Sequence, residues 1–266
     1  MSVTAPPGSQ LAPRWRRGRL LLLLALTVVP LLVTGCCAAM AAIAMAGGSG
    51  PWALLPAAGA LVLVAVQTGW LVHSGSSDPS NALKVAFLAG GATVLVGLIP
   101  SFGLAGTGLA GALLGLGLVL VVVSCVLASR GHRTMLQPLV PELGSVPVRL
   151  RLAARFALDG PDLVSASLLI DVDRVGWTAR RHRAKGGPQV DVSVPFQQLR
   201  GARPITLPTP QPWLSLPDGT VLHAPAGPAV VLTTVTGERM VPVHEAALVV
   251  ALLERRVGRW RRTTPM

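Results

Sequence analysis

Charge is what the first half of this chain lacks. The 266 residues hold 23 Lys and Arg and 11 Asp and Glu, yet only Asp78 and Lys84 fall between residues 20 and 128. A water-soluble domain needs a solvated surface, so that stretch is excluded as one. It is equally excluded as a disordered tail, because it is too apolar to stay in water. Lysine is nearly missing, with 2 against 21 Arg, and tyrosine is absent. That skew, with abundant Ala, Gly, Pro and Val, is the coding bias of a high-GC bacterium. The three cysteines, Cys36, Cys37 and Cys125, all lie in the apolar half. A disulfide scaffold or a cysteine zinc site in the charged half is therefore excluded. No H-E-x-x-H, G-x-S-x-G, P-loop or G-x-G-x-x-G spacing occurs anywhere.

What is present is long apolar runs. Four spans are predicted: Leu20–Ala46, Trp52–Val72, Ala82–Pro100, and a fourth that follows the Gly-rich turn at 102–108 and ends near Ser129. Each is close to the ~20 apolar residues that cross a bilayer. Helices are expected because backbone groups in lipid must bond within the segment. Arg14, Arg16, Arg17 and Arg19 precede the first span, Lys84 marks the loop before the third, and Arg130 and Arg133 follow the fourth. All three groups fall on one side, which the positive-inside rule makes cytoplasmic. The expected location is a bacterial plasma membrane, multi-pass, with both termini inside. Trp15, Trp52 and Trp70 fall at expected lipid–water boundaries.

The spans carry little polarity. Gln67 is the most polar residue well inside one, and no ionisable side chain lies deep in the membrane. This argues against a proton-coupled transporter. Thr107, Gly111 and Gly115 form a small-residue ladder on the fourth span, as do Ala38, Ala42 and Ala46 on the first; such ladders allow close helix packing. Packing inside the bundle is the plain reading, and packing against a partner's span the other. Val33-Thr34-Gly35-Cys36 also has the form of a lipoprotein cleavage box after a basic, apolar leader. The chain stays apolar from Cys37 to Ala46, as an uninterrupted helix would.

Residues 1–19 thus read as a basic cytoplasmic segment, 20–129 as a four-helix membrane domain, 130–147 as a proline-containing linker, and 148–262 as a charged domain. Residues 129–266 hold 18 basic and 10 acidic residues, a net +8. Short β-type runs follow one another: Leu168–Val172, Arg174–Arg181, Gln189–Val194, Pro204–Leu207, Trp213–Leu216, Thr220–His223, Val230–Val235 and Arg239–Val243. Asp218-Gly219 is a strong turn signal. The pattern then turns helical. Val249, Leu253, Val257 and Trp260 share one face, and Arg255, Arg259 and Arg262 another. The expected fold is an α-helical transmembrane bundle of four spans plus a mainly-β barrel or sandwich capped by a C-terminal helix.

The segments LLIDVDRVGWTARR (168–181), VPFQQLRGAR (194–203) and GPAVVLTTVTGERMVPVHEAALVVALLERR (227–256) give this half a likeness to a known family. It resembles the C-terminal pleckstrin-homology-like (PH-like) domain of polytopic actinobacterial membrane proteins of uncharacterised function. The likeness covers roughly 90 residues and rests on structural motifs, so it speaks to fold more than to activity. His244 stands where that family usually has an aspartate-type cap.

Arg180, Arg181, Arg183 and Lys185 cluster near a predicted hairpin tip, a placement similar to the phosphate-binding loop of eukaryotic PH domains. Beside a membrane each basic residue adds about 1 kcal/mol of attraction to anionic lipid; otherwise the cluster is a solvated turn. The Arg255, Arg259 and Arg262 stripe could lie on a membrane surface or be a solvated helix face. No catalytic residue, cofactor, metal or nucleic-acid partner is expected. His182, His223 and His244 stand at no spacing with mechanical meaning. The functional expectation is a non-enzymatic scaffold or regulatory protein whose PH-like domain binds protein or acidic lipid. An accessory subunit of a transporter or channel is the alternative.

Overall fold

A computed structural model describes residues 11–75, 77–106, 108–158, 163–182 and 187–263. The chain divides into two compact units, Met1–Pro138 and Leu139–Met266.

The first unit holds four helices long and apolar enough to cross a membrane: α1 (Leu11–Ala46), α2 (Pro51–Gly75), α3 (Pro79–Ala105) and α4 (Leu109–Leu136). Helix α1 starts nine residues before the predicted span. Its arginines are good helix formers, and Leu11, Trp15, Gly18 and Leu22 are buried as one stripe. A side chain on Gly18 would run into Met135 of α4, and one on Gly131 into Leu22, so the two helices cross closely here. Trp15 is therefore buried instead of anchoring in an interface. Helix α4 likewise runs on to Leu136, through residues read as linker. Val33 to Cys36 lie within unbroken helix, with Cys36 buried.

Proline shapes two of the helices. Pro30 and Pro100 each follow a π-turn, Leu24–Val28 in α1 and Val94–Leu98 in α3. In the first, the Val29 N–H reaches back to the carbonyl of Leu24. The Ala25 carbonyl would next take its bond from residue 30, which is proline and has no N–H. The hydroxyl of Ser124 on α4 donates to that carbonyl instead, at 2.6 Å and buried. Thr27 and Thr68 join α1 to α2 through their hydroxyls at 3.1 Å. Ala25 packs with Leu26, Ala86 and Ala128, while Cys37, Ala60, Leu98 and Ala110 belong to a separate cluster.

The second unit opens with a 3-10 strap, Pro141–Ser145, also inside the predicted linker. Nine strands follow among the described residues: β1 (Leu150–Ala153), β2 (Val164–Ile170), β3 (Arg174–Arg181), β4 (Gln189–Pro195), β5 (Leu199–Leu207), β6 (Gln211–Ser215), β7 (Val221–Ala224), β8 (Gly227–Thr234) and β9 (Gly237–Pro242). Helix α5 (Ala246–Thr263) closes the unit. The sheets are antiparallel, in the orders β1-β2-β3-β4, β5-β8-β9 and β6-β7. The predicted runs overlap β2 to β9, and none is predicted at β1. Gly219, at φ +83°, makes the expected turn between β6 and β7. Trp213 on β6 donates its indole N–H to the Met240 carbonyl on β9 at 2.9 Å, stitching two sheets together. Helix α5 buries Val249, Val250, Leu252 and Leu253. Each such side chain contributes ~1.5–3 kcal/mol of burial.

Candidate functional site

The two larger sheets of the β-rich unit have four edges, and these are not alike. Strand β1 is only four residues long, and Ala154 just beyond it bridges to Val243 at the end of β9, which links those two edges. Strand β5 carries Pro204 and the exposed Arg200 and Arg203, features that blunt an edge. Arg203 reaches Glu238 of β9 at 3.1 Å. Strand β4 pairs with β3 on one side, and no strand pairs its other side among the described residues. Its alternation sets it in place. Val190 and Val192 are half-buried and Val194 is buried, while Gln189, Asp191 and Ser193 are exposed. Proline appears only at its last residue, Pro195. Six residues of extended backbone, from Gln189 to Val194, thus lie at an edge with Asp191 as its one charge.

The two predicted arginine clusters fare differently. Arg180 is exposed at the end of β3. Arg181 is folded back onto the β6–β7 turn, donating to Asp218 at 2.8 Å and to the Thr220 hydroxyl at 2.9 Å. Both partners are mostly covered, with side chains 17% and 21% exposed. Burial opposes the charge on Asp218, but bonds from Thr220 and the guanidinium outweigh it and hold the carboxyl below its usual range. Arg183 and Lys185 lie outside the described residues. The cluster therefore loses one of its cations to a structural ion pair.

On α5 two of the three residues of the expected stripe are engaged within the unit. Arg255 pairs with Glu142 of the strap at 3.3 Å. Arg259 donates to the Ser145 carbonyl. Only Arg262 of the three is exposed without a polar side-chain contact among the described residues. Between them sits Arg256, which the sequence reading did not single out. It is 1% exposed and donates to the carbonyls of Gly144 at 2.9 Å, Val148 at 2.8 Å, Asp171 at 3.1 Å and Leu143 at 3.2 Å. Burial and the neighbouring Arg259 push it down to about 10, with Asp171 opposing, so it remains a cation at neutral pH. The signal was in the spacing: Arg256 stands seven residues after Val249 and three after Leu253, inside the apolar stripe.

Gly111 and Gly115 are set apart from the helix contacts, and a Cβ on either would meet open space. They face outward, away from the other helices of the bundle; Thr107 lies outside the described residues. Ala38, Ala42 and Ala46 are not among the buried residues of α1 either. The candidate histidines stay apart from acids. Neither the His223 nor the His244 ring bonds a carboxylate among the described residues, and His182 shares a bond with Ser165 at 2.9 Å. Among the described residues no three His, Cys, Asp or Glu side chains converge as a metal ion would require.

No protein-family model, no curated protein and no solved structure matches the chain.

Proposed function

We propose that this is a multi-pass protein of a bacterial plasma membrane, with its β-rich unit on the cytoplasmic side. That unit is PH-like and non-enzymatic. It serves as a scaffold or regulatory module by taking a partner protein's extended segment along β4. The unguarded β4 edge carries this reading. Strand addition supplies main-chain hydrogen bonds, and side-chain alternation along the added strand gives selectivity. Acidic lipid is the weaker occupant, because Arg181, Arg255 and Arg259 are already engaged within the unit. Arg180 and Arg262 add general attraction to an anionic surface.

Positional photo-crosslinking in native membranes tests it. A crosslinker at Asp191 on β4 should yield a protein adduct that one at Glu238 on β9 does not. Equal adducts from both positions, or none from Asp191, would overturn the reading.

A second reading, an accessory subunit of a transporter or channel, draws on the outward-facing Gly111 and Gly115. Replacing both by Leu should then release the partner's spans in co-purification. An unchanged complex would remove it.

A further inference from the structure

The basic start of α1 does more than mark topology. Along α1 the stripe facing α4 is Trp15, Gly18 and Leu22, all buried. A flanking stripe runs Arg16, Arg19, Leu20, Leu23, at spacings of three, four and seven residues. Cations occupy its first turn and leucines the next, so one helical turn separates charge from hydrocarbon. Across from it the end of α2 offers Leu71 and Val72. Between the two helices lies a groove of about 750 Å³. That is within the ~300–1,000 Å³ usual for a small-molecule site.

Its lining is unbalanced. Arg16, Arg17 and Arg19 border it, and no acidic residue does among the described residues. None of the three guanidiniums bonds a side chain or carbonyl among the described residues. Arg14, two residues earlier, is engaged within the unit: it donates to the carbonyls of Thr134 at 3.4 Å and Pro138 at 3.0 Å. The apolar wall is equally uncovered, with Leu20 57%, Leu23 47% and Val72 66% exposed.

We propose that this groove binds one anionic phospholipid, its phosphate on Arg16, Arg17 and Arg19 and an acyl chain along Leu20, Leu23 and Val72. Guanidinium forks match phosphate oxygens in pairs. A basic pocket between transmembrane helices at the headgroup level is a known lipid-binding arrangement. A soluble phosphate would leave the apolar wall bare, so the lipid is the committed occupant. The proposal rests on the apolar helices lying in a bilayer and is independent of β4.

The test is native mass spectrometry of the full-length protein, titrated with phosphatidylglycerol or phosphatidylcholine. Phosphatidylglycerol should bind more tightly. R16Q/R17Q/R19Q should weaken it about fivefold per arginine, on the order of 100-fold in all, and weaken phosphatidylcholine, whose phosphate is offset by its own cation, much less. R130Q/R133Q, which lowers charge outside the groove, should alter it less than about twofold by the same reasoning. Leu23→Ala, which shortens the apolar wall without adding a polar group, should weaken both lipids, and glycerol 3-phosphate should not displace the lipid. Equal binding of the two lipids, an unaffected triple variant, the same loss in R130Q/R133Q, or displacement by glycerol 3-phosphate would each overturn the site. Carbonate extraction of membranes separates this from the underlying reading: protein released into the supernatant would refute membrane insertion itself.

Discussion

Removing the hydroxyl of Ser124 isolates a single consequence of Pro30. In α1 the π-turn sends the Val29 N–H to Leu24, and proline denies the Ala25 carbonyl its next backbone donor. Ser124 supplies the bond from α4 at 2.6 Å. Interhelical hydrogen bonds between membrane helices are worth ~0.6 kcal/mol on average and up to ~1.7. A buried acceptor left without a donor costs ~1–3 kcal/mol. Ser124→Ala should therefore destabilise the bundle by about 1–2 kcal/mol. Pro30→Ala restores an N–H one residue beyond Val29, so the carbonyl regains a main-chain partner. In that background Ser124→Ala should cost less than about 0.5 kcal/mol, leaving a coupling near 1 kcal/mol between the two positions. Reversible unfolding of full-length protein in mixed detergent micelles measures all four corners of the cycle. If Ser124→Ala costs the same with and without the Pro30→Ala change, the account of the orphaned carbonyl is wrong.

Other expected outcomes concern the β-rich unit. Arg256→Met strands four carbonyls, three of them buried, and should cost about 3–5 kcal/mol, with Arg256→Lys recovering only part, read by urea-dependent proteolysis of the full chain. A methyl at Gly144 would run into the Leu252 carbonyl and the Arg255 side chain. Gly144→Ala should push the strap off α5, cost ~1–3 kcal/mol, and raise hydrogen exchange at 141–148 before it does so in β2 and β3. Asp218 has a lowered folded pKa, so its pairing with Arg181 contributes fully above the ordinary carboxylate range and is lost as pH falls through the lower folded value. Asp218→Asn should flatten the acid-side fall of Tm; an unchanged slope would remove the pair as its source.

The apolar helices were legible because lipid imposes one simple rule on length and composition. Their ends were not. Leu11 to Arg19 look like a soluble leader until Gly18 and Gly131 let α1 and α4 come together. The π-turns were hidden too, since Pro30 and Pro100 say only that a helix must adjust, not how. In the β-rich unit, alternation located the strands that bury one face, but β1 is four residues with arginines in and around it and carries almost no pattern. The candidate sites were hardest. Arg181 and Arg259 read as surface charge, and only their tertiary partners, Asp218 and the Ser145 carbonyl, reveal that they hold the unit together. The β4 edge is a property of topology, and strand order cannot be read from one strand's own residues.

The arginine-held strap has a consequence for biosynthesis. Gly144 precedes Arg256 by 112 residues, so the strap emerges from the ribosome long before its clamp. Until Arg256 arrives, the carbonyls of Leu143, Gly144 and Val148 have only water, and the sheets lack the helix that covers them. At ~5–20 residues per second this open interval lasts on the order of 5–20 seconds. Helices α1 to α4 are synthesised before it begins, so under the proposed multi-pass reading their insertion precedes closure of the β-rich unit. Under that reading a nascent chain arrested before residue 256 should be membrane-inserted yet cleaved readily at 139–148 by added protease. One arrested late enough for α5 to clear the exit tunnel should resist.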